Sequence, residues 1–244
     1  MSEQRRFCPA CGCAWQAAWS LCPVCSQGAA DAPVAPTPRG GAPRIARPLG
    51  VALGLYFALL AAILITPQLD VPWSLVVGDL AIAGLALGFS LATWRALPLG
   101  WPASRRAWLV APLLGAGTWA LAELVVTGLH AGFQIPLVDA EMIEAFGALG
   151  PGPMLLSMVV LPAVFEELAF RGVILAALRE VLDDREAIAV QALLFATLHL
   201  SIPSMIHLGV LGAALGALCL RVRSLLPCMV VHAVHNGLVV LTTG

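Results

Sequence analysis

Residues 162–178 read PAVFEELAFRGVILAAL and place three charged side chains, Glu166, Glu167 and Arg171, inside a long apolar run. A charge at bilayer depth costs at least about 2.5–3.5 kcal/mol on insertion scales, so three together need partners and usually mark a function. On a helix, Glu167 and Arg171 are four residues apart and can pair, whereas Glu166 is turned away by about 100°. We predict a structural Glu167–Arg171 ion pair and a Glu166 carboxylate free for chemistry. A purely structural polar cluster is the alternative.

The composition of the whole chain is that of a membrane protein. Of its 244 residues, 60% are hydrophobic and 11% are charged, and the mean hydropathy is +0.91. Soluble domains have about 45–50% apolar and about 25% charged residues, so this chain could not cover its surface in water. The formal net charge of −1 argues against a disordered or nucleic-acid-binding protein. We therefore predict an integral membrane protein whose surface faces lipid and which has no nucleic-acid partner.

Apolar segments recur along the chain and predict an all-α polytopic fold with about seven transmembrane helices. Two stretches, 48–69 and 224–244, contain no charged residue and are long enough to cross a hydrocarbon core of roughly 30 Å. No internal repeat of the kind that transporters use is present. The predicted spans lie near 49–67, 73–93, 107–129, 153–178, 186–200, 204–220 and 225–243.

The arginines predict the orientation of these spans. All thirteen basic residues are arginine, and with a cytoplasmic N-terminus twelve of them fall on the cytoplasmic side, as the positive-inside rule requires. The abundance of Ala, Gly, Pro and Arg indicates a bacterial source, hence a multi-pass protein of the bacterial inner membrane. The twelve are Arg5, Arg6, Arg39, Arg44, Arg47, Arg95, Arg105, Arg106, Arg179, Arg185, Arg221 and Arg223.

Cysteines crowd the N-terminus in two Cys-x-x-Cys pairs, Cys8/Cys11 and Cys22/Cys25. Four thiolates meet the tetrahedral demand of zinc, and the pattern is similar to the short zinc ribbons of bacterial membrane proteins. A redox pair, or cysteines placed there by chance, are the alternatives. A thiolate site needs a reducing compartment, which agrees with a cytoplasmic N-terminus. We predict a small ribbon that holds a structural Zn²⁺ and could recruit a cytoplasmic partner.

Three domains follow from these observations. Residues 1–27 are the predicted zinc ribbon, residues 28–48 are a linker rich in Pro, Ala and Gly, and residues 49–244 are the transmembrane domain. A linker of this composition has no apolar periodicity and predicts no regular structure.

Two further spans bring polar side chains to bilayer depth. Span five contains FATLHL, with Phe195 and His199 four residues apart, and span seven contains HAVHNG, with His232 and Asn236 four residues apart. A single intramembrane histidine is usually a packing residue. Polar groups on three spans instead predict a common site, although the estimated depths of His199 and His232 differ, at roughly 20 Å and 12 Å.

The three motifs, EExxxR, FxxxH and HxxxN, resemble those of the CPBP family of intramembrane proteases. This family includes the type II CAAX prenyl endopeptidases and bacteriocin-immunity proteins. The resemblance covers roughly residues 105–243 and carries the motifs in the family's order, at Glu166 to Arg171, Phe195 to His199 and His232 to Asn236. It implies hydrolysis of a peptide bond in a membrane-associated protein or peptide.

The residue types suit this chemistry. Glu166 is the expected general base on a water that His199 also holds. His232 and Asn236 are the expected donors to the oxyanion, while Glu167 and Arg171 hold the site in shape. An active-site metal stays open, because Glu166, His199 and His232 are also ligand types for a catalytic zinc. Direct activation of water by Glu166 and His199 is the favoured of the two schemes.

Other polar side chains have a simpler interpretation. Asp79 and Glu123 are expected to pair within the helix bundle, His207 and His130 to lie near span boundaries, and His235 to point away from the face of His232. The buried cysteines, Cys219 and Cys228, are expected to be small apolar fillers. Two other functions stay open: a non-proteolytic binding or immunity protein on the same scaffold, and an ion-coupled transporter that uses the membrane carboxylates.

Overall fold

A computed structural model describes residues 5–7, 14–16, 46–68, 74–93, 97–102, 104–133 and 150–243. The chain forms two compact units, Met1–Arg44 and Ile45–Gly244. In the first unit, strands β1 (Arg5–Phe7) and β2 (Ala14–Gln16) pair in antiparallel register. The cysteines of the predicted zinc ribbon lie outside the described residues, so the ribbon and its zinc stay predictions.

The described residues of the second unit form seven helices, each of which overlaps one predicted span. Three helical stretches are long and apolar enough to cross a membrane, Pro48–Gln68, Arg106–Phe133 and Ile202–Val222, and two shorter ones are also apolar. The chain is therefore a multi-pass membrane protein. The helices are α1 (Ala46–Ile65), α2 (Ser74–Ala92), α3 (Arg106–Phe133), α4 (residues 151–178), α5 (Asp184–Thr197), α6 (Ile202–Val222) and α7 (Leu226–Thr243).

Charged residues lie inside this helical unit and large apolar residues lie outside. Glu167 and Arg171 are 0% and 1% exposed, whereas Leu113 of α3 is 72% exposed and Leu80 of α2 is 61% exposed. Helices that face lipid can expose leucine at no cost, whereas an ionised side chain in hydrocarbon has to turn towards the bundle interior. The distribution of burial therefore agrees with the membrane assignment.

Helix α4 is built largely of wide turns in which a backbone N–H donates to the carbonyl five residues earlier. The N–H of Leu161 donates to the carbonyl of Leu156, and that of Leu175 donates to the carbonyl of Phe170. Pro162 lies within this stretch and has no N–H to donate. Such π-type turns are frequent at functional sites, and here they span the EExxxR motif.

Helix α5 begins at a capping box and ends within the second motif. Asp183 and Glu186 form a capping box at its start, and the helix ends at Thr197, three residues earlier than the predicted span. Leu200 has a φ of 53°, a left-handed conformation that terminates helices and is unusual for a residue other than glycine. Ser201 then caps α6 by accepting from the N–H of Ser204. His199 thus lies just beyond the helix, in the turn between α5 and α6.

Glycines allow the closest helix contacts, as is usual in membrane bundles. A Cβ on Gly115 of α3 would lie 2.6 Å from the backbone carbonyl oxygen of Val231 on α7. A Cβ on Gly212 of α6 would lie 3.0 Å from the Cα of Ala192 on α5. These two contacts hold α7 and α5, the helices of the third and second motifs, against their neighbours.

Candidate active site

The predicted ion pair between Glu167 and Arg171 is confirmed. The Arg171 Nη1 lies 2.8 Å from the Glu167 Oε1, and both side chains are 0% exposed. The Arg171 Nη2 donates to the carbonyl of Gly212 at 3.3 Å, and the guanidinium carbon lies 4.6 Å from the centre of the Phe195 ring. The arginine therefore joins α4 to α5 and α6, with a carboxylate, a carbonyl and an aromatic ring as partners.

His232 of α7 bridges the two glutamates of α4. Its Nδ1–H donates to the Glu167 Oε1 at 2.9 Å, and its Nε2 lies 3.7 Å from the Glu166 Oε2. A carboxylate oxygen that bonds to a histidine also sets the tautomer and the ring orientation. Glu167 thus does more than the predicted pairing with Arg171, because it also aims the His232 ring at Glu166.

His199 and His232 pack on the same buried aromatic ring. The Phe195 ring is 5.1 Å from the His199 ring and 5.9 Å from the His232 ring, between centres. The His199 Nδ1–H donates to the carbonyl of Phe195 at 3.1 Å, which leaves its Nε2 as an acceptor. The two histidines, whose depths as estimated from the sequence differ, therefore contact one and the same ring.

Asn236 is engaged by the backbone of α4. Its Nδ2 donates to the carbonyl oxygen of Met158 at 2.9 Å. This carbonyl lies in the stretch of wide turns that precedes Pro162, a residue with no N–H to donate. One amide hydrogen of Asn236 therefore joins α7 to α4, where the sequence led us to expect it to face an oxyanion.

A cavity of about 250 Å³ collects most of these groups. Four of the six predicted site residues line it, and Glu167 and Arg171 do not line it. Ten of the fifteen lining residues are polar or ionisable. A site that holds water and a peptide backbone needs such groups. The lining residues are Asp79, Ser157, Met158, Pro162, Glu166, His199, Ser201, Ser204, His207, Leu208, His232, His235, Asn236, Val239 and Val240.

Three ionisable residues that the sequence did not assign to the site line this cavity: Asp79, His207 and His235. The expectation that His235 points away from His232 was wrong, because residues three apart on a helix are neighbours on one face. The His235 Nδ1–H donates to the Thr118 hydroxyl at 3.1 Å, and its ring lies 6.5 Å from that of His207. The sequence feature that could have assigned Asp79 to the site is its charge within a predicted span.

Within the described part of the chain, no three side chains of His, Cys, Asp or Glu are placed to hold one ion. Three of the four histidines that line the cavity, His199, His232 and His235, bind protein groups through Nδ1. Such bonds orient the ring and leave Nε2 for water or for an ion. Direct activation of water and an active-site metal therefore both stay predictions.

Residues 148–238 match the sequence model of a known family, described as type II CAAX prenyl endopeptidase, Rce1-like. The matched segment includes all three motifs and most of the residues that line the cavity. It is shorter than the region from 105 to 243 over which the motifs suggested a resemblance. No curated protein and no solved structure matches the chain.

Proposed function

We propose that this chain, whose residues 148–238 form an Rce1-like type II CAAX prenyl endopeptidase domain, is an intramembrane endopeptidase. Its family consists of hydrolases, and the chain is a hydrolase of that family. The substrate is a membrane-associated protein or peptide. The observation that carries the proposal is the position of His232, whose two ring nitrogens lie 2.9 Å from Glu167 and 3.7 Å from Glu166 at the wall of the cavity.

Water activation is the first step of the proposed reaction. Glu166 is partly exposed to the cavity, with 23% of its side chain accessible, so a water can reach its carboxylate. The Nε2 of His199 accepts a hydrogen bond from the same water, since the Nδ1–H is held by Phe195. Glu166 takes a proton from this water as the oxygen attacks the peptide carbonyl. General-base assistance of this kind contributes about 10²–10⁴-fold in rate.

Stabilisation of the oxyanion falls to His232 in this proposal. Glu167 accepts from its Nδ1–H, and its Nε2 lies at the cavity wall beside Glu166, where a proton on this nitrogen would face the oxyanion. A donor fixed in a site of low dielectric stabilises developing negative charge strongly, because the site need not reorganise during the reaction. Asn236 keeps one amide hydrogen for the same purpose, since the other binds Met158. The ion pair of Arg171 and Glu167 holds these groups in position.

The setting of the enzyme is part of the proposal. The positive-inside rule supports seven spans with the N-terminus in the cytoplasm, in a protein of the bacterial inner membrane. The four cysteines Cys8, Cys11, Cys22 and Cys25 hold a structural Zn²⁺ in the reducing cytoplasm. The ribbon is an accessory that lies outside the catalytic domain and is available to a cytoplasmic partner.

The test compares new peptide termini in host membranes that contain wild type, Glu166→Gln or Glu123→Gln at matched levels. Glu123→Gln is the matched control, because it neutralises a carboxylate on α3 that bonds to Thr242 and does not line the cavity. Wild type and Glu123→Gln are expected to give the same new termini, and Glu166→Gln is expected to give none. Identical termini in all three membranes, with folded proteins, would overturn the proteolytic function and favour a binding or immunity protein.

A further inference from the structure

Asp79 lies on α2, outside the segment that matches the family, and yet it faces Glu166. Both residues line the main cavity. They also line a second, smaller cavity of about 30 Å³, together with Pro162 and apolar side chains of α2 and α4. The two carboxyl groups are close enough to interact electrostatically, and Asp79 also interacts with the Ser157 hydroxyl. A helix outside the three motifs thus brings a second carboxyl group to the candidate active site.

Each of these carboxyl groups has one buried oxygen without a partner. Among the described residues, no donor reaches the Asp79 Oδ2 or the Glu166 Oε2. Buried acceptors are almost always paired, because leaving one without a donor costs its full desolvation penalty. Two ionised carboxylates that face the same cavity also repel each other. A proton on Asp79 removes that repulsion and gives its Oδ2 a hydrogen to donate into the cavity.

The neighbouring histidines do not supply that hydrogen through Nδ1. His199 donates its Nδ1–H to the carbonyl of Phe195, His232 donates to Glu167, and His235 donates to Thr118. The His232 Nε2, at 3.7 Å from Glu166, is beyond hydrogen-bond distance. These three histidines therefore leave the role of proton donor beside Glu166 to Asp79.

Peptide hydrolysis needs a group that can deliver such a proton. When Glu166 takes a proton from water, the new bond forms between the water oxygen and the carbonyl carbon. The bond from that carbon to nitrogen then breaks, and the departing nitrogen has to be protonated, since an amide anion is a very poor leaving group. In the proposed reaction Glu166 and His199 act on the attacking water, and the departing nitrogen has no assigned general acid.

We propose that Asp79 is a further catalytic residue, the general acid that protonates the departing nitrogen. Its Oδ2–H proton goes to the nitrogen as the carbon–nitrogen bond breaks, which leaves Asp79 as a carboxylate. Glu166 at that point holds the proton taken from water and returns it to Asp79, so both groups are restored. In the net reaction, one peptide bond and one water give one carboxylic acid and one amine. This inference rests on the proposed endopeptidase function.

The test uses a peptide that spans a cleavage site mapped in the membrane experiment, made as the amide and as an ester with oxygen in place of the scissile nitrogen. The leaving group of an ester is an alkoxide or alcohol, and its departure depends much less on a general acid than that of an amine. The purified full chain is assayed in detergent as wild type, Asp79→Asn, Asp79→Glu and Glu123→Gln. Asp79→Asn keeps the shape of the side chain and a contact with Ser157, and loses the acidic proton.

We expect Asp79→Asn to lower kcat on the amide by at least about 100-fold, with KM changed by less than about three-fold and ester cleavage within about ten-fold of wild type. Asp79→Glu restores part of the amide activity, and Glu123→Gln leaves both activities unchanged. Equal losses on amide and ester, or wild-type amide activity in Asp79→Asn, would overturn the role of Asp79 and leave the endopeptidase intact. If wild type produces no new termini in membranes, the proposed function fails and this inference fails with it.

Discussion

The side-chain amide of Asn236 donates to the backbone carbonyl of Met158 at 2.9 Å, four residues before Pro162. This part of α4 consists of wide turns, and the proline within it has no N–H to donate to an earlier carbonyl. In a bilayer the backbone polar groups have no water to bind, so donors from other helices help to satisfy them. The third motif therefore supplies a hydrogen bond to the backbone of the helix that carries the first motif.

Replacing Asn236 by leucine should destabilise the protein. The carbonyl of Met158 would lose its donor, which costs about 1–3 kcal/mol when the group stays buried. The free energy of unfolding in mixed micelles measures this loss. Adding Pro162→Ala to Asn236→Leu should recover part of the stability, because alanine brings back a backbone N–H. A fully stable Asn236→Leu protein without cleavage would show that the amide acts on the oxyanion and not as a tether.

Replacing Glu167 by glutamine should destabilise the protein more strongly. Arg171 would remain as a buried charge without a counter-ion, and breaking one side of such a pair costs about 3–5 kcal/mol. The same unfolding measurement applies, with Glu180→Gln at an exposed position as the control. The double variant Glu167→Leu, Arg171→Met should regain much of the stability and stay inactive, since His232 has lost its acceptor. An unchanged stability in Glu167→Gln would contradict the ion pair.

Replacing His199 by asparagine should affect catalysis and not stability. The asparagine nitrogen occupies the place of Nδ1 and can still donate to the carbonyl of Phe195, but nothing replaces the Nε2 acceptor. We expect the cleavage rate to fall about 10²–10⁴-fold, with the stability within about 0.5 kcal/mol of wild type because the side chain is exposed. Quantitative mapping of termini measures the rate, and a rate near that of wild type would remove His199 from the mechanism.

Two glycines of α3 should respond differently to alanine. At Gly115 the new Cβ would lie 2.6 Å from the carbonyl oxygen of Val231, whereas at Gly117 it would meet nothing within 4 Å. Gly115→Ala should lower the stability by about 1–3 kcal/mol through overpacking. Gly117→Ala should leave it unchanged or raise it by up to about 1 kcal/mol, through helix propensity. Equal effects of the two variants would argue against the close contact of α3 with α7.

The zinc ribbon can be tested by metal content. Purified wild type should carry one zinc per chain, and the double variant Cys8→Ser, Cys22→Ser should carry none, because two of the four thiolates are lost. Cys13→Ser is the matched control and should retain the metal. Hydrolysis should be unchanged in both variants. Loss of all cleavage in a well-folded double variant would mean that the ribbon takes part in the activity.

Contacts within one helix were predictable from the sequence. Residues four apart share a helix face in water or in lipid, so the spacing of Glu167 and Arg171 predicted their ion pair. The positions of the seven helices were predictable for a similar reason, since a run of apolar residues needs no partner to be recognised. The end of α5 was missed because Leu200 adopts its left-handed conformation without glycine.

Contacts between helices depended on the tertiary structure. A transmembrane helix is apolar towards lipid and towards its neighbours alike, so its hydrophobic pattern does not show which helices touch. The bridge from His232 to both glutamates, the bond from Asn236 to Met158 and the position of Asp79 all join helices far apart in the chain. The sequence by itself determined which side chains cannot face lipid. Only the packing of the bundle decided which of them meet, because that depends on where glycines let the helices approach.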